Sequence, residues 1–241
     1  SGDILIVAGK GHENYQQYKK RNFFSDKLEI LKAIRKKNLY LSKSIKTNIL
    51  SENSNRNILK KNIKINFAST NSKKINKNSI FVGVKGKKFD GNNYTTEALK
   101  NGAILAMSNK KNLNQKVLFK KNPLNDFSKI SFNFRKSLDA NIIAITGSAG
   151  KTSVKELTGF CLSKLAKTYF SKKSFNNKYG VPLSIFNTPD TTKYCVLEVG
   201  MDKKGEIDYL TKLIRPNLGL ITNISYAHIE NFKSLNQIAQ A

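Results

Sequence analysis

The segment Ile142-Ile143-Ala144-Ile145-Thr146-Gly147-Ser148-Ala149-Gly150-Lys151-Thr152-Ser153 sets the architecture. Four apolar residues in succession fit a strand buried on both faces, two glycines then allow a tight turn, and Lys-Thr-Ser opens a run with helical character. A strand, a glycine turn and a helix in that order make a phosphate-binding loop. Its glycines bring backbone N–H groups close to phosphate oxygens, and the helix N-terminus adds positive potential. Lys151 can reach the terminal phosphates and the Thr152 hydroxyl can ligate magnesium. The expected nucleotide-binding residues are therefore Gly147, Ser148, Ala149, Gly150, Lys151, Thr152 and Ser153. The spacing is G-x-x-G-K-T, shorter than the general G-x-x-x-x-G-K-[ST].

Outward from the loop the pattern alternates. Cys195-Val196-Leu197-Glu198-Val199 is a second apolar strand, read as parallel to the first and ending in an acid. Ligands gather at the carboxyl ends of strands in open α/β sheets, so Glu198 is expected to face the nucleotide and hold magnesium. A third strand from Leu218 to Ile224 delivers Asn223 and, beyond it, His228, one of only two histidines in the chain. Helices are expected from Lys151, from Gly205 to Ile214 and from near Ser234. Phe175 to Pro182 carries Asn176 and Asn177, and its Gly-Val-Pro is read as a turn. The fold class expected is α/β, with a mostly parallel-sheet P-loop domain preceded by a small α/β domain.

The chain upstream divides into shorter pieces. Residues 1–37 read as a strand, Ile4 to Ala8, a glycine turn, and a helix capped at Ser25 or Asp26. Residues 38–62 are rich in Asn, Ser and Lys and read as a linker. Residues 63–140 read as a small α/β domain with a strand over 80–84 and a helix around 94–101. Residues 141–241 hold the loop domain, which ends inside a helix and is read as incomplete.

Composition sets limits. The chain has 241 residues, 39% of them hydrophobic, and a formal net charge of +27, which excludes full disorder. It holds no run of about 18 apolar residues and no basic leader, so neither a membrane span nor secretion is expected. Cys161 and Cys195 both sit among apolar neighbours, so both are read as buried thiols of a cytoplasmic protein. Of the 43 basic residues 38 are lysine, and the net charge is +21 up to residue 140 against +6 beyond it. The lysines are scattered in pairs such as Lys19-Lys20 and Lys110-Lys111, without the arginine bias of nucleic-acid readers. A solvated basic surface is expected, with no nucleic-acid partner, although a basic P-loop protein acting on nucleic acid is the alternative from another class.

Several motifs together resemble the ATP-dependent Mur ligases of peptidoglycan synthesis: T-G-S-A-G-K-T-S from Thr146, F-N-N-K-Y-G-V-P from Phe175, L-E-V-G-M from Leu197 and T-N-I-S-Y-A-H-I-E-N-F from Thr222. The likeness is to the branch that adds D-alanyl-D-alanine. Ser69-Thr70-Asn71-Ser72-Lys73 and Gly83-Val84-Lys85-Gly86 resemble that branch's substrate domain, whose pattern usually reads S-T-D-S-R, so Asn71 and Lys73 depart from it. The resemblance implies ATP and Mg2+, an acceptor UDP-N-acetylmuramoyl-tripeptide, and D-alanyl-D-alanine as the amine. It implies Lys151, Glu198 and His228 as catalytic residues, with Thr152, Glu198 and His228 holding metal. Ser69, Thr70, Asn71, Lys85, Asn176, Asn177 and Asn223 would contact substrate. Gly2 to Gln16, followed by Phe24-Ser25-Asp26, is similar to the C-terminal end of the branch that adds the third amino acid, with Gly9 and Glu13 as amino-acid contacts. The chain is then read as an internal piece of a fused two-ligase polypeptide, a monomer, and inactive as a ligase alone. An amino-acid-adding Mur ligase or a folylpolyglutamate synthase-like ligase is the alternative within the same chemistry.

Overall fold

The computed structural model describes residues 15–17, 21–23, 43–45 and 63–241, apart from 87–88, 172–174, 228–230 and 233. The chain divides into two compact units, Ser1–Ser42 and Lys43–Ala241. In the first, the described residues are an antiparallel strand pair, β1 (Tyr15–Gln17) and β2 (Arg21–Phe23). The strand and helix expected over 4–8 and from 25, with Gly9 and Glu13, lie outside the described residues, as does most of the expected linker.

The second unit opens with a short antiparallel pair, β3 (Lys43–Ile45) and β4 (Ile63–Ile65). Two parallel sheets follow. The first contains β5 (Phe67–Ser69), β6 (Ser79–Val82), β7 (Ala103–Ser108) and β8 (Val117–Phe119), paired in that order. Every residue of β6 is buried, as a strand covered on both faces requires. One face carries Phe81 and Ala106 against Ala98 of helix α1 (Thr95–Lys100). The other carries Ile80, Val82, Leu105 and Met107.

That second face is covered by helix α2 (Pro123–Ser137), which the sequence reading passed over. Asn122 caps it through a bond from Asn125 N to its side chain, and Pro123 occupies the first turn, where a missing N–H costs nothing. Phe127 and Ile130 point into the first sheet's core. Ser128 and Ser131 are buried too, because each hydroxyl donates to the carbonyl one turn back, Leu124 and Phe127.

The second sheet is built from β9 (Asn141–Thr146), β10 (Thr168–Phe170), β11 (Tyr194–Glu198) and β12 (Leu218–Ile221), in the order β10-β11-β9-β12 and all parallel. Its helices are α3 (Lys151–Leu165), α4 (Gly180–Asn187), α5 (Glu206–Ile214) and α6 (Leu235–Ala239). The mixed α/β fold with parallel sheets is the one expected. Gly-Val-Pro at 180–182 starts a helix instead of making a turn, because proline in a first turn loses no intrahelical bond. Helix α4 is buried from Gly180 to Phe186. Leu183 and Phe186 belong to the first sheet's core, Val181 and Ile185 to the second's. Phe186 meets Phe127 and Phe134 with ring centroids 5.2 and 5.8 Å apart. Arg135 closes the join from α2, donating to the Ile214 and Arg215 carbonyls that end α5.

The two cysteines differ. Cys195 is buried in β11 as expected, but Cys161 is exposed. It lies on the outer face of α3, where Leu157, Phe160 and Leu165 are exposed as well, so apolar neighbours in sequence do not bury it. Among the described residues no helix is long and apolar enough to cross a membrane.

Candidate functional site

Strands β9 and β11 run side by side with Glu198 opposite Ile145, so both end at the same edge of the sheet. Beyond that edge the chain turns at Gly147 and Gly150, with φ of +134° and +78°. Gly147 is required twice over. Its φ excludes most side chains, and a Cβ there would lie 2.1 Å from Thr222 Oγ1. The loop then enters α3, whose first N–H groups have no intrahelical acceptor and point out of the helix end.

The segment after β12 fixes the loop from the other side. Ser148 N donates to the Asn223 carbonyl and Ala149 N to Asn223 Oδ1, both at 2.9 Å. Thr222 Oγ1 donates to the Ala149 carbonyl at 2.5 Å, and Ser148 Oγ donates to the Ser225 carbonyl at 2.9 Å. Lys151 folds back over the turn, its Nζ donating to the Gly147 and Ser148 carbonyls. That keeps an ammonium at the mouth of the loop, where a phosphate would compete for it.

Glu198 is 1% exposed and both its oxygens accept hydrogen bonds. Thr152 Oγ1 donates to Oε2 and Asn176 Nδ2 to Oε1, each at 2.8 Å. Thr152 and Glu198, 46 residues apart in sequence, are thus brought together as expected. A hydroxyl and a carboxylate beside a cationic loop are hard oxygen donors of the kind that suit magnesium. Asn176 also accepts from Gly200 N through its carbonyl, which ties its segment to the end of β11. Asn177 Oδ1 accepts from Tyr179 N and Gly180 N and so holds the start of α4. The three asparagines expected to read substrate therefore position Glu198, α4 and the loop.

One residue at the site was missed. Lys155, one helical turn after Lys151, is completely buried, with Nζ 3.9 Å from Glu198 Oε2 and 3.0 Å from Glu156 Oε1. The sequence alone carries no signal for it: the structure shows that positions 155 and 159 are the buried ones of α3, so a lysine occupies the face that packs on the sheet.

Two adjoining clefts open at this edge. One, of about 830 Å³, is lined by Gly147, Ser148, Lys151, Asn176 and Asn223. The other, of about 690 Å³, runs to the first sheet's end, where Lys85 and Asn92 line it. Asn177, Lys178, Tyr179 and Gly200 belong to both. Ser69, Thr70 and Asn71 line neither. Ser69 Oγ bonds the Asn71 backbone, and Asn71 caps the short turn over 72–74 by accepting from Lys73 N. His228 lies outside the described residues.

The profile of the Mur ligase family, catalytic domain, matches residues 64–155, and that of the Mur ligase middle domain matches residues 145–241. The UDP-N-acetylmuramoyl-tripeptide–D-alanyl-D-alanine ligase of Buchnera aphidicola subsp. Baizongia pistaciae is 37% identical over 74% of this chain and 40% of its own length. The ligase of the same name from Escherichia coli is 33% identical over the same shares. A crystal structure of MurF from Acinetobacter baumannii superposes with a TM-score of 0.67 at 30% identity, covering 74% of this chain and 40% of that one. MurF ligase from Thermotoga maritima in complex with ADP gives a TM-score of 0.66 at 28% identity, covering 77% and 42%. The chain thus spans about 40% of the length of the curated relatives it matches.

Proposed function

The chain belongs to the Mur ligase family, and from that premise we propose that it is the loop-bearing part of an ATP-dependent ligase adding D-alanyl-D-alanine to UDP-N-acetylmuramoyl-tripeptide. The observation that carries the reading is the meeting of Thr152 with the buried Glu198 at the mouth of the glycine loop. The relatives' names and the ADP-bound neighbour support the choice of substrates and nucleotide.

In this reading a carboxylate oxygen of the tripeptide attacks the γ-phosphorus of ATP, and ADP leaves. The amine of D-alanyl-D-alanine then attacks the acyl carbon, the C–N bond forms, and inorganic phosphate departs. Phosphoryl transfer asks mainly for positioning and charge stabilisation. Lys151 leaves the loop carbonyls for the β- and γ-phosphate oxygens, and the amides at the start of α3 hold the same oxygens. Thr152 and Glu198 would hold magnesium, with His228 for a second ion. Magnesium held there would supply positive charge against the phosphate oxygens. Asn176 keeps Glu198 aimed, and Asn223 keeps the loop in its bonded shape.

The cleft that reaches Lys85 takes the uridine-linked acceptor, and its junction with the loop cleft at Asn177 to Tyr179 is where the acceptor carboxylate meets the γ-phosphate. Ser69, Thr70 and Asn71 are assigned to acceptor binding on the motif alone. Residues 1–37 are proposed as the end of a ligase that adds the third amino acid, with Gly9 and Glu13 as its contacts. A cytoplasmic location follows from the same reading, since ATP and uridine nucleotides are used there.

The test is phosphate release with Mg-ATP and UDP-N-acetylmuramoyl-tripeptide on the natural polypeptide that carries these residues. Release that requires D-alanyl-D-alanine is expected. Release indifferent to D-alanyl-D-alanine, or none, overturns the reading.

A further inference from the structure

Lysine is seldom fully buried, and a buried ammonium is stable only when paired. Lys155 has that pairing at the one place where the proposed function needs a negative charge. Its Nζ is 3.9 Å from Glu198 Oε2 on one side and 3.0 Å from Glu156 Oε1 on the other. The two acids are not equivalent. Glu198 is buried, whereas the Glu156 side chain is 48% exposed, so water screens much of its charge. Lys155 therefore pairs closely with Glu156 and at the same time sets a fixed positive charge beside Glu198, on the buried side where that charge is felt strongly.

The local balance is unusual for a site meant to hold a divalent cation. Glu198 contributes one negative charge, Lys155, shared with the half-exposed Glu156, offsets part of it, and Lys151 adds a positive charge at the loop mouth. No group of three or more His, Cys, Asp or Glu residues able to hold a metal exists among the described residues. Hard cations owe their affinity to the number and charge of their oxygen ligands. Among the described residues Thr152 and Glu198, with the carboxylate partly offset by Lys155, fall short. A nucleotide polyphosphate on the loop supplies the missing anionic oxygens.

Resting on the nucleotide reading above, we propose that Lys155 makes metal binding conditional on nucleotide: by partly offsetting Glu198 it prevents a divalent cation from settling alone and admits it only with a polyphosphate. Lys155 is thus a positioning residue. It touches neither substrate nor metal and acts through Glu198.

Mn2+ binding to the natural polypeptide that carries these residues, followed by electron paramagnetic resonance of the free ion and corrected for the Mn2+ that the same ADP binds without protein, tests this without any assay of turnover. With no nucleotide, Mn2+ affinity is expected to be weaker than about 1 mM. With saturating ADP it is expected to tighten at least about a hundredfold. Lys155→Met, which keeps the length and removes the charge, is expected to strengthen binding of Mn2+ alone by about tenfold or more and to shrink the coupling to ADP. Lys155→Gln serves the same purpose if the Met variant has no cooperative thermal transition.

Mn2+ bound by the unsubstituted chain as tightly without ADP as with it overturns the proposal whatever the variants do. Unchanged affinity for Mn2+ alone in a folded variant overturns it too. Failure of ADP to bind at all, with or without Mn2+, removes the nucleotide reading and the proposal with it, which distinguishes that failure from the other two.

Discussion

Asn187, the last residue of α4, grips the backbone of Ala68 in β5 from 119 residues away: its Oδ1 accepts from Ala68 N at 2.7 Å and its Nδ2 donates to the Ala68 carbonyl at 3.0 Å. A side-chain amide here does what a neighbouring strand would do, satisfying both backbone groups of an edge strand. Asn187→Ala leaves the Ala68 N–H and C=O without their partner and is expected to cost about 2–3 kcal/mol. Urea unfolding measures it. Asn187→Asp keeps only an acceptor and is expected to recover less than half of the loss.

The loop glycines are expected to separate cleanly. Gly147→Ala forces a Cβ to 2.1 Å from Thr222 Oγ1 at a φ of +134°, so the loop must leave its bonds to Thr222 and Asn223. Gly150→Ala meets nothing within 4 Å and pays only for its φ of +78°, about 1 kcal/mol. In ADP titrations of the two variants Gly147→Ala should abolish binding, while Gly150→Ala weakens it by less than about tenfold. Equal effects would mean that the contact with Thr222 is irrelevant to the loop.

Lys151→Ala removes an ammonium whose partners in the structure are two loop carbonyls. Thermal stability should change little, since those carbonyls stay near solvent. Turnover of the natural polypeptide should fall by about a thousandfold or more, because charge stabilisation dominates phosphoryl transfer. Phosphate release read beside a melting curve separates the two effects, and near-normal release would withdraw Lys151 from the site.

Asp90 gives the expected pH dependence. The Asn92 side-chain amide, its backbone N–H and Lys110 hold the carboxyl below its usual 3.8. A folded value below the unfolded one stabilises the protein above the unfolded value, and the benefit is lost as pH falls through the folded one. Unfolding free energies compared for the unsubstituted chain and Asp90→Asn should differ most at neutral pH and converge as the pH falls below the usual carboxylate range. A difference independent of pH would show that Asp90 acts by shape alone.

Much of the second sheet was legible because its strands are apolar runs ended by chemistry: Ile142–Ile145 by the loop, Cys195–Leu197 by Glu198. Helix α4 was not legible for a physical reason. Lying between two cores, it is buried nearly all round and shows no clear 3.6-residue period, while its glycine and proline imitate a turn. Helix α2 hid differently, because Ser128 and Ser131 break its apolar face and their burial depends on bonds to their own helix. At the site, Thr152, Glu198 and Lys151 followed from residue type and order. Lys155 did not, since a lysine in a helix reads as solvent-facing until the packed side of α3 is known. The asparagines named as substrate contacts lie at the site's edge, where they hold backbone and carboxylate groups that belong to the fold and could not be read from sequence.

Helix α4 also sets a timetable for synthesis. The first sheet is complete in sequence at Phe119, yet Leu183, Phe186 and Asn187, which finish its core and tie its edge, follow more than 60 residues later. While the ribosome makes that interval, Ile80, Leu105 and Met107 have only α2 for cover. A pause or truncation between residues 120 and 187 would leave a nearly finished sheet with an open apolar face, the kind of nascent species that chaperones recognise and that aggregates when they do not.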